Sequence, residues 1–310
     1  MTVTASAPGK LIILGEHAVV YGKPAIAVAI DKRIQCTLAK TSETSINGRA
    51  FDADKHPYIK QMMLSSQFPL KIETESSIPP GSGLGSSAAL SVSFLKALGM
   101  LNGNDGDDAK LAKDAFEVEY TVQGGASPLD TSASTHGNGV ALNAPEDAGG
   151  FLWEISKKNR TWSVRDIAIP KMTLVVGYTG LHAATGPLVE KVRKYKEKNT
   201  FAADVVDEIG DITNEGMIAL KKGDLVRLGD LMTRDHKLLS ILGVSCNELN
   251  KLVNACSKYS YGAKLTGAGG GGSMMALTDK PEKVCDAIAA HGGKPFVVRT
   301  GEPGAKASLR

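Results

Sequence analysis

The densest chemistry in the chain lies in PPGSGLGSSAAL at 79–90. Glycines at 81, 83 and 85 precede Ser86 and Ser87, and a helical pattern begins directly after them. Glycines turn tightly and leave their amides bare. Those amides, the hydroxyls and the positive end of a helix would converge on a point suited to a phosphate. The spacing is not the dinucleotide-binding fingerprint, whose third glycine would stand at 86, and no Gly-Lys-Ser/Thr closes it as a Walker loop. A nucleotide here would be held mainly by backbone amides, with Mg²⁺ drawing oxygen ligands from elsewhere. The competing reading is a tight turn capping a core helix. A second segment, KLTGAGGGGSMMAL at 264–277, sets glycines at 267 and 269–272 between two strand-like runs. So many glycines cost backbone entropy; they fit a close approach of backbone to ligand, or else a flexible hairpin. A third, SAPGKLIILGEHAVVYGKPA at 6–25, gathers Lys10, Glu16 and His17 in a strand-turn unit. Taken singly, these also read as a surface charge, a solvated loop acid and a turn histidine.

The elements that must position these residues can be read coarsely. LIIL at 11–14, AIAVAI at 25–30, RIQCTLA at 33–39 and LKIETE at 70–75 read as strands bounded by Gly and Pro. AALSVSFLKALGML at 88–101 reads as a largely buried helix, and a second helical period runs from Asp107 to about Val122. Residues 143–166 are polar and turn-rich around two tryptophans and read as the passage between halves. In the second half MTLVVGY at 172–178 is a buried strand. A long helical region follows, with Gly210, Gly223 and Gly243 as breaks, and 246–259 reads as a further helix. A strand, glycine loop, strand, helix and strand then fill 263–299, and the polar EPGAKASLR tail reads as frayed. The pattern is α+β rather than a regular βαβ repeat, with domains expected at 1–160 and 161–310.

Composition narrows the function. A chain of 310 residues, 42% hydrophobic and 22% charged, reads as a globular protein of about two domains. Its formal charge of +3 and lack of a basic, aromatic-studded face oppose a nucleic-acid binder. No apolar run approaches a membrane span, and MTVTASAPGKLIILGEH does not read as a signal peptide, so a cytoplasmic location is expected. The cysteines at 36, 246, 256 and 285 form no metal-ligand spacing and read as free thiols.

Taken together and in order, PGKLIILGEHAVVYG, PPGSGLGSSAAL and KLTGAGGGGS resemble the three signature motifs of the GHMP family of small-molecule kinases. GEHAVVYG is most similar to the branch that phosphorylates mevalonate. The resemblance spans residues 6 to 277. It implies a two-domain α+β fold, with a left-handed β-α-β crossover in the N-terminal domain, a ferredoxin-like C-terminal domain and an active site in the cleft between. It also implies ATP- and Mg²⁺-dependent phosphorylation of a hydroxyl, mevalonate as acceptor, and a homodimer. Residue by residue, the nucleotide-phosphate loop falls on Pro79, Pro80, Gly81, Ser82, Gly83, Leu84, Gly85, Ser86, Ser87, Ala88 and Ala89, with Gly267 and Gly269 from the third motif. Asp130, in QGGASPLDTSAS, matches the catalytic aspartate and Lys10 the lysine beside it. Ser87 and Glu119 match the Mg²⁺ ligands. Lys10, Glu16, His17, Asp130 and Thr185 match the acceptor pocket. Two departures stand out: Ser273 where the family commonly has Cys, and Pro128-Leu129 before Asp130, which fits a microbial or archaeal subtype. A silent sensor on the same scaffold should lack Lys10, Asp130 or the metal ligands, and none is missing. Phosphomevalonate as acceptor would ask for more cations than the Lys10 and Lys23 that the first motif offers.

Overall fold

The computed structural model describes residues 1–79, 81–104, 106–181 and 185–309. Two long strands organise the first half. β1 (Thr2–Leu14) and β2 (Ala25–Lys40) run antiparallel, joined through a 3-10 turn at Ala18–Tyr21. The separate strands expected at 25–30 and 33–39 are one. Opposite Pro8 and Gly9 the register shifts, and Asp31 and Lys32 bulge out without ending the strand.

The chain continues through β3 (Ser45–Ile46), β4 (Arg49–Ala50), α1 (Pro57–Met63), β5 (Leu70–Ser76), α2 (Ser86–Leu101), α3 (Asp108–Gln123), α4 (Leu129–His136), β6 (Gly139–Leu142), β7 (Gly150–Lys157) and β8 (Arg160–Asp166). Among the described residues these strands form one sheet in the order β4-β3-β5-β2-β6-β8-β7, with β1 on the opposite edge of β2. α2 lies across β1 and β2 and buries Ala88, Ala89, Val92 and Phe94. The polar stretch at 143–166 is not a linker but contains the β7–β8 hairpin. Trp153, Ile155, Trp162 and Val164 alternate onto its buried face, where Trp162 meets Phe116 of α3 edge-on. The polar residues that mask the pattern lie on the other face.

The second half holds β9 (Thr173–Tyr178), α5 (Thr185–Lys198), α6 (Thr200–Lys222), α7 (Leu225–Ile241), α8 (Asn247–Cys256), β10 (Gly262–Thr266), β11 (Ser273–Leu277), α9 (Pro281–Ala290) and β12 (Lys294–Arg299). Its four-stranded antiparallel sheet runs β10-β11-β9-β12, the ferredoxin-like order. Gly223 ends α6 and Gly243 follows α7, as expected. Gly210 instead lies inside α6, where the stem of Lys23 packs against it. The tail is also not frayed. β13 (Lys306–Leu309) pairs with β1 from Val3 to Ser6, and the Arg33 guanidinium holds the carbonyls of Ser6, Pro303 and Gly304. Pairing uses backbone groups alone, so it leaves little trace in a hydrophobicity pattern, and it covers an edge of β1 that would otherwise be open. One apolar core runs through both halves, joining Leu14, Ile26 and Leu84 to Val206, Leu231 and Met274.

Candidate active site

The glycine loop leaves β5 and enters α2 at Ser86 with no side chain capping the helix. Its first-turn amides are therefore left facing outward beside the positive end of the helix. Ser82 is buried and pins the turn by donating to the Pro79 carbonyl at 2.6 Å. Gly81 and Gly83 are exposed, Leu84, Ala88 and Ala89 are buried, and Ser86 and Ser87 are half-buried. Pro80 lies outside the described residues. Gly85 stands at φ 73, and a Cβ there would lie 2.9 Å from Cγ of Lys10. Its lack of a side chain is what lets Lys10 run beneath the loop.

Lys10 is held there at both ends. Its backbone N–H donates to the Leu84 carbonyl at 2.9 Å, and its Nζ reaches Oδ2 of Asp130 at 3.0 Å and the Gly83 carbonyl at 3.4 Å. The Lys10 side chain is only 3% exposed, whereas that of Asp130, in the first turn of α4, is 30% exposed. A buried ammonium thus presents a carboxylate that remains open to solvent.

Beside this pair, Ser87 Oγ donates to Oε1 of Glu119 at 2.5 Å. Glu119 is 2% exposed, and burial together with the nearby Asp130 charge pushes its carboxyl up to about 7. Gln123, one turn further along α3, donates from Nε2 to the same Glu119 oxygen and to the Tyr58 hydroxyl. Gln123 and Tyr58 carry no motif that marks them for the site; only tertiary packing brings α1 to α3.

The third motif forms the hairpin loop between β10 and β11. Ser273 Oγ donates to the Ser82 carbonyl at 2.6 Å, so the residue that departs from the family pattern ties the third motif to the second. Gly267, at φ 81, has open space where a side chain would stand, whereas Gly269 is packed against the carbonyl of Val244. His17 reaches the same loop: Nε2 lies 2.8 Å from the Ala268 carbonyl. Burial lowers the His17 pKa, so the neutral ring donates from Nε2 and keeps its lone pair on Nδ1. Glu16 is turned inward onto Lys264 of β10. Thr185 opens α5 and is exposed; among the described residues it makes no hydrogen bond to Lys10, Glu119 or Asp130.

The expected residues Lys10, Ser87, Glu119 and Asp130 are thus brought together, with Glu16 and His17 on the adjoining seam. Sequence reasoning misses two further charged residues at that seam, Lys264 and Asp235. A signal exists for the first: Lys264 opens the third motif and stands alone in an otherwise uncharged strand, GAKLT. Asp235 sits among Leu228, Leu231, Met232 and Leu239 on the buried face of α7, and nothing about it distinguishes it from a surface acid in sequence.

Comparison with known proteins identifies the family. The family model for the GHMP kinases N terminal domain matches residues 55–138, and that for GHMP kinases C terminal matches 217–294. A mevalonate kinase of Methanothermobacter thermautotrophicus is 36% identical over 289 residues, covering 89% of this chain and 90% of the relative. The chain belongs to the GHMP kinase family. A Pyrococcus furiosus mevalonate kinase, 33% identical, covers 99% of this chain and 98% of its own. Among solved structures, L. major mevalonate kinase in complex with R-mevalonate superposes with a TM-score of 0.80 at 28% identity, covering 96% of this chain and 95% of that one. Methanococcus jannaschii mevalonate kinase does so at 0.78 and 26%, covering 96% and 98%. This GHMP kinase is accordingly a two-domain α+β enzyme. Among the described residues, no helix is long and apolar enough to cross a membrane.

Proposed function

We propose that this kinase transfers the terminal phosphoryl group of ATP to the C5 hydroxyl of (R)-mevalonate. The observation that carries the reaction type is the Lys10–Asp130 pair at 3.0 Å beneath the glycine loop. The acceptor is supported by the relatives named mevalonate kinase over nearly their whole length and by the R-mevalonate complex of the L. major enzyme.

Phosphoryl transfer asks a protein chiefly for positioning and charge neutralisation. The bare amides of the 81–87 loop and the start of α2 bind the nucleotide phosphates. Asp130, open to the cleft, accepts the proton of the acceptor hydroxyl as that oxygen attacks. Lys10, fixed by the Leu84 and Gly83 carbonyls, orients the Asp130 carboxylate and offsets charge at the transferring group. His17 presents Nδ1 as an acceptor to a hydroxyl on the substrate.

Whether the residues present fit Mg²⁺ can be judged from their chemistry. Among the described residues, no three His, Cys, Asp or Glu side chains converge as a self-sufficient cage. A hard ion of this kind needs only one or two protein oxygens, with phosphate and water completing its shell. The buried Glu119 carboxylate and the Ser87 hydroxyl, joined at 2.5 Å, supply those two. When bound, the ion neutralises charge on the phosphates. Replacing Ser87 by Ala is expected to raise the free Mg²⁺ needed for half-maximal turnover by on the order of tenfold, with ADP release titrated against Mg²⁺ as the readout. An unchanged requirement would remove Ser87 from the metal site.

The acceptor is tested by ADP release with ATP and Mg²⁺, offering mevalonate, phosphomevalonate, galactose and homoserine in parallel. Turnover with mevalonate alone, in the range of ~1–100 s⁻¹ usual for kinases, is the expected result. Turnover only with another of the four would overturn the acceptor and leave the roles of Lys10 and Asp130 standing.

A further inference from the structure

Lys264 is a fully buried lysine with two acidic partners drawn from different parts of the chain. Its ammonium contacts Oε1 of Glu16, from the turn that ends β1, and lies 3.1 Å from Oδ2 of Asp235, from α7. All three side chains are at most 1% exposed. Oε2 of Glu16 and Oδ1 of Asp235 are buried without a hydrogen-bond donor among the described residues. The group therefore adds a buried ionic contact between the first sheet and the β10–α7 layer, beside the apolar core that already joins them.

Two fasteners from the turn after β1 cross the same seam, beside a third in which Thr266 Oγ1 donates to the Ile12 carbonyl at 3.4 Å. Glu16 is tied to β10 through Lys264. The next residue, His17, at φ 61, is tied to Ala268, just past the end of β10 at Thr266. The loop so held reaches the phosphate loop through Ser273 and Ser82. We propose that Glu16, Lys264 and Asp235 form an ionic clamp between the two halves that positions His17 and the 267–272 loop, with Glu16 acting through Lys264 rather than by touching the acceptor. The clamp rests on reading the adjoining cleft as the kinase site, but its stability signature does not.

Two carboxylates share one ammonium in a dry site, and a second buried negative charge there is costly. The groups facing Glu16 are Lys264 on β10, Asp235 and His236 on α7, and its neighbour His17. Burial and the Lys264 charge push His236 down to about 4, where its neutral ring accepts from the Leu265 N–H, and His17 is likewise held neutral, so neither histidine adds a cation. Sharing one buried ammonium therefore favours protonation of one acid of the pair. Burial raises both, Glu16 to about 7, with the Asp235 charge adding to it. A carboxyl raised on folding stabilises at pH below its unfolded value of 4.5, and that contribution is lost as pH rises through about 7.

The test uses the full chain. Without substrates, thermal midpoints are measured between pH 5 and pH 8 for the wild type and for Asp235→Asn, which leaves Glu16 and Lys264 as a balanced pair. The wild type is expected to lose stability with rising pH, and Asp235→Asn to flatten that slope. With substrates, Glu16→Ala is expected to lower kcat/KM for both ATP and acceptor by on the order of 100-fold, and Glu16→Gln, whose amide oxygen can still accept from Lys264, to recover most of that loss. Equal losses in the Ala and Gln variants confined to the acceptor KM would make Glu16 a substrate ligand and overturn the clamp, as would an Asp235→Asn slope identical to wild type. Because the slope is read in the absence of any acceptor, a wrong acceptor assignment leaves it unaffected.

Discussion

Replacing Asp130 by Asn is expected to lower turnover by about 10²–10⁴-fold, the range for loss of a positioned general base, with the fold preserved. The substitution keeps the shape of a side chain that caps no helix and stands 30% exposed in the first turn of α4, so little packing is lost. What it removes is the charge facing the buried Lys10 and the capacity to take a proton. Lys10 retains the Gly83 carbonyl, and its backbone bond to Leu84 is untouched, so the glycine loop should stay in place. KM values for ATP and acceptor should consequently change little while kcat falls, the pattern of an interaction made chiefly in the transition state. Steady-state kinetics with circular dichroism of the same preparation would check this. Near-wild-type turnover would sink the assignment of Asp130 both as base and as an orienting group.

The second large effect is on stability. Gly269 lies at φ +83, and a Cβ built there would sit 2.0 Å from the carbonyl oxygen of Val244. That carbonyl cannot simply swing away, because the Gly270 N–H donates to it at 2.8 Å. Gly269→Ala must therefore shift the segment after α7 or open the loop, adding overpacking to left-handed backbone strain, for a loss of roughly 2–5 kcal/mol. Gly267 is the internal control: its φ of +81 is nearly the same, yet a Cβ there would have nothing within 4 Å. Gly267→Ala should cost only the backbone strain, about 1–2 kcal/mol. Denaturant midpoints for the two variants would separate the effects, and equal losses would show that the contact with Val244 is not what requires glycine at 269. Against a total stability of about 5–15 kcal/mol for a typical domain, the larger loss is enough to deplete folded protein.

Much of the fold is legible in the sequence because its signals are local. The buried runs of β1, β2 and β9, the period of α3 and the left-handed glycines after α6 and α7 each announce themselves within a short stretch of chain. The segments that mislead have a common cause. The β7–β8 hairpin hides its apolar face behind polar neighbours, and β13 is held by backbone pairing and Arg33. In both, the information lies in the partner strand rather than in the segment itself.

The candidate-site residues divide the same way. Glu119 and Asp130 are pointed to only by the resemblance to the GHMP kinases, whereas the glycine loop and Lys10 stand in motifs that can be picked out from the chain alone. Lys264, Asp235, Tyr58 and Gln123 cannot, because each matters only through a partner distant in sequence: Glu16 lies 248 residues before Lys264, and Tyr58 lies 65 before Gln123. The turn after β1 illustrates the consequence. From its sequence Glu16 is an acid in a loop, free to meet a substrate or solvent; folded against β10 and α7 it is desolvated and must share a buried ammonium. Residue type and spacing determine which chemistry a segment can offer, whereas burial and long-range charge pairing determine which of those groups remain available to perform it.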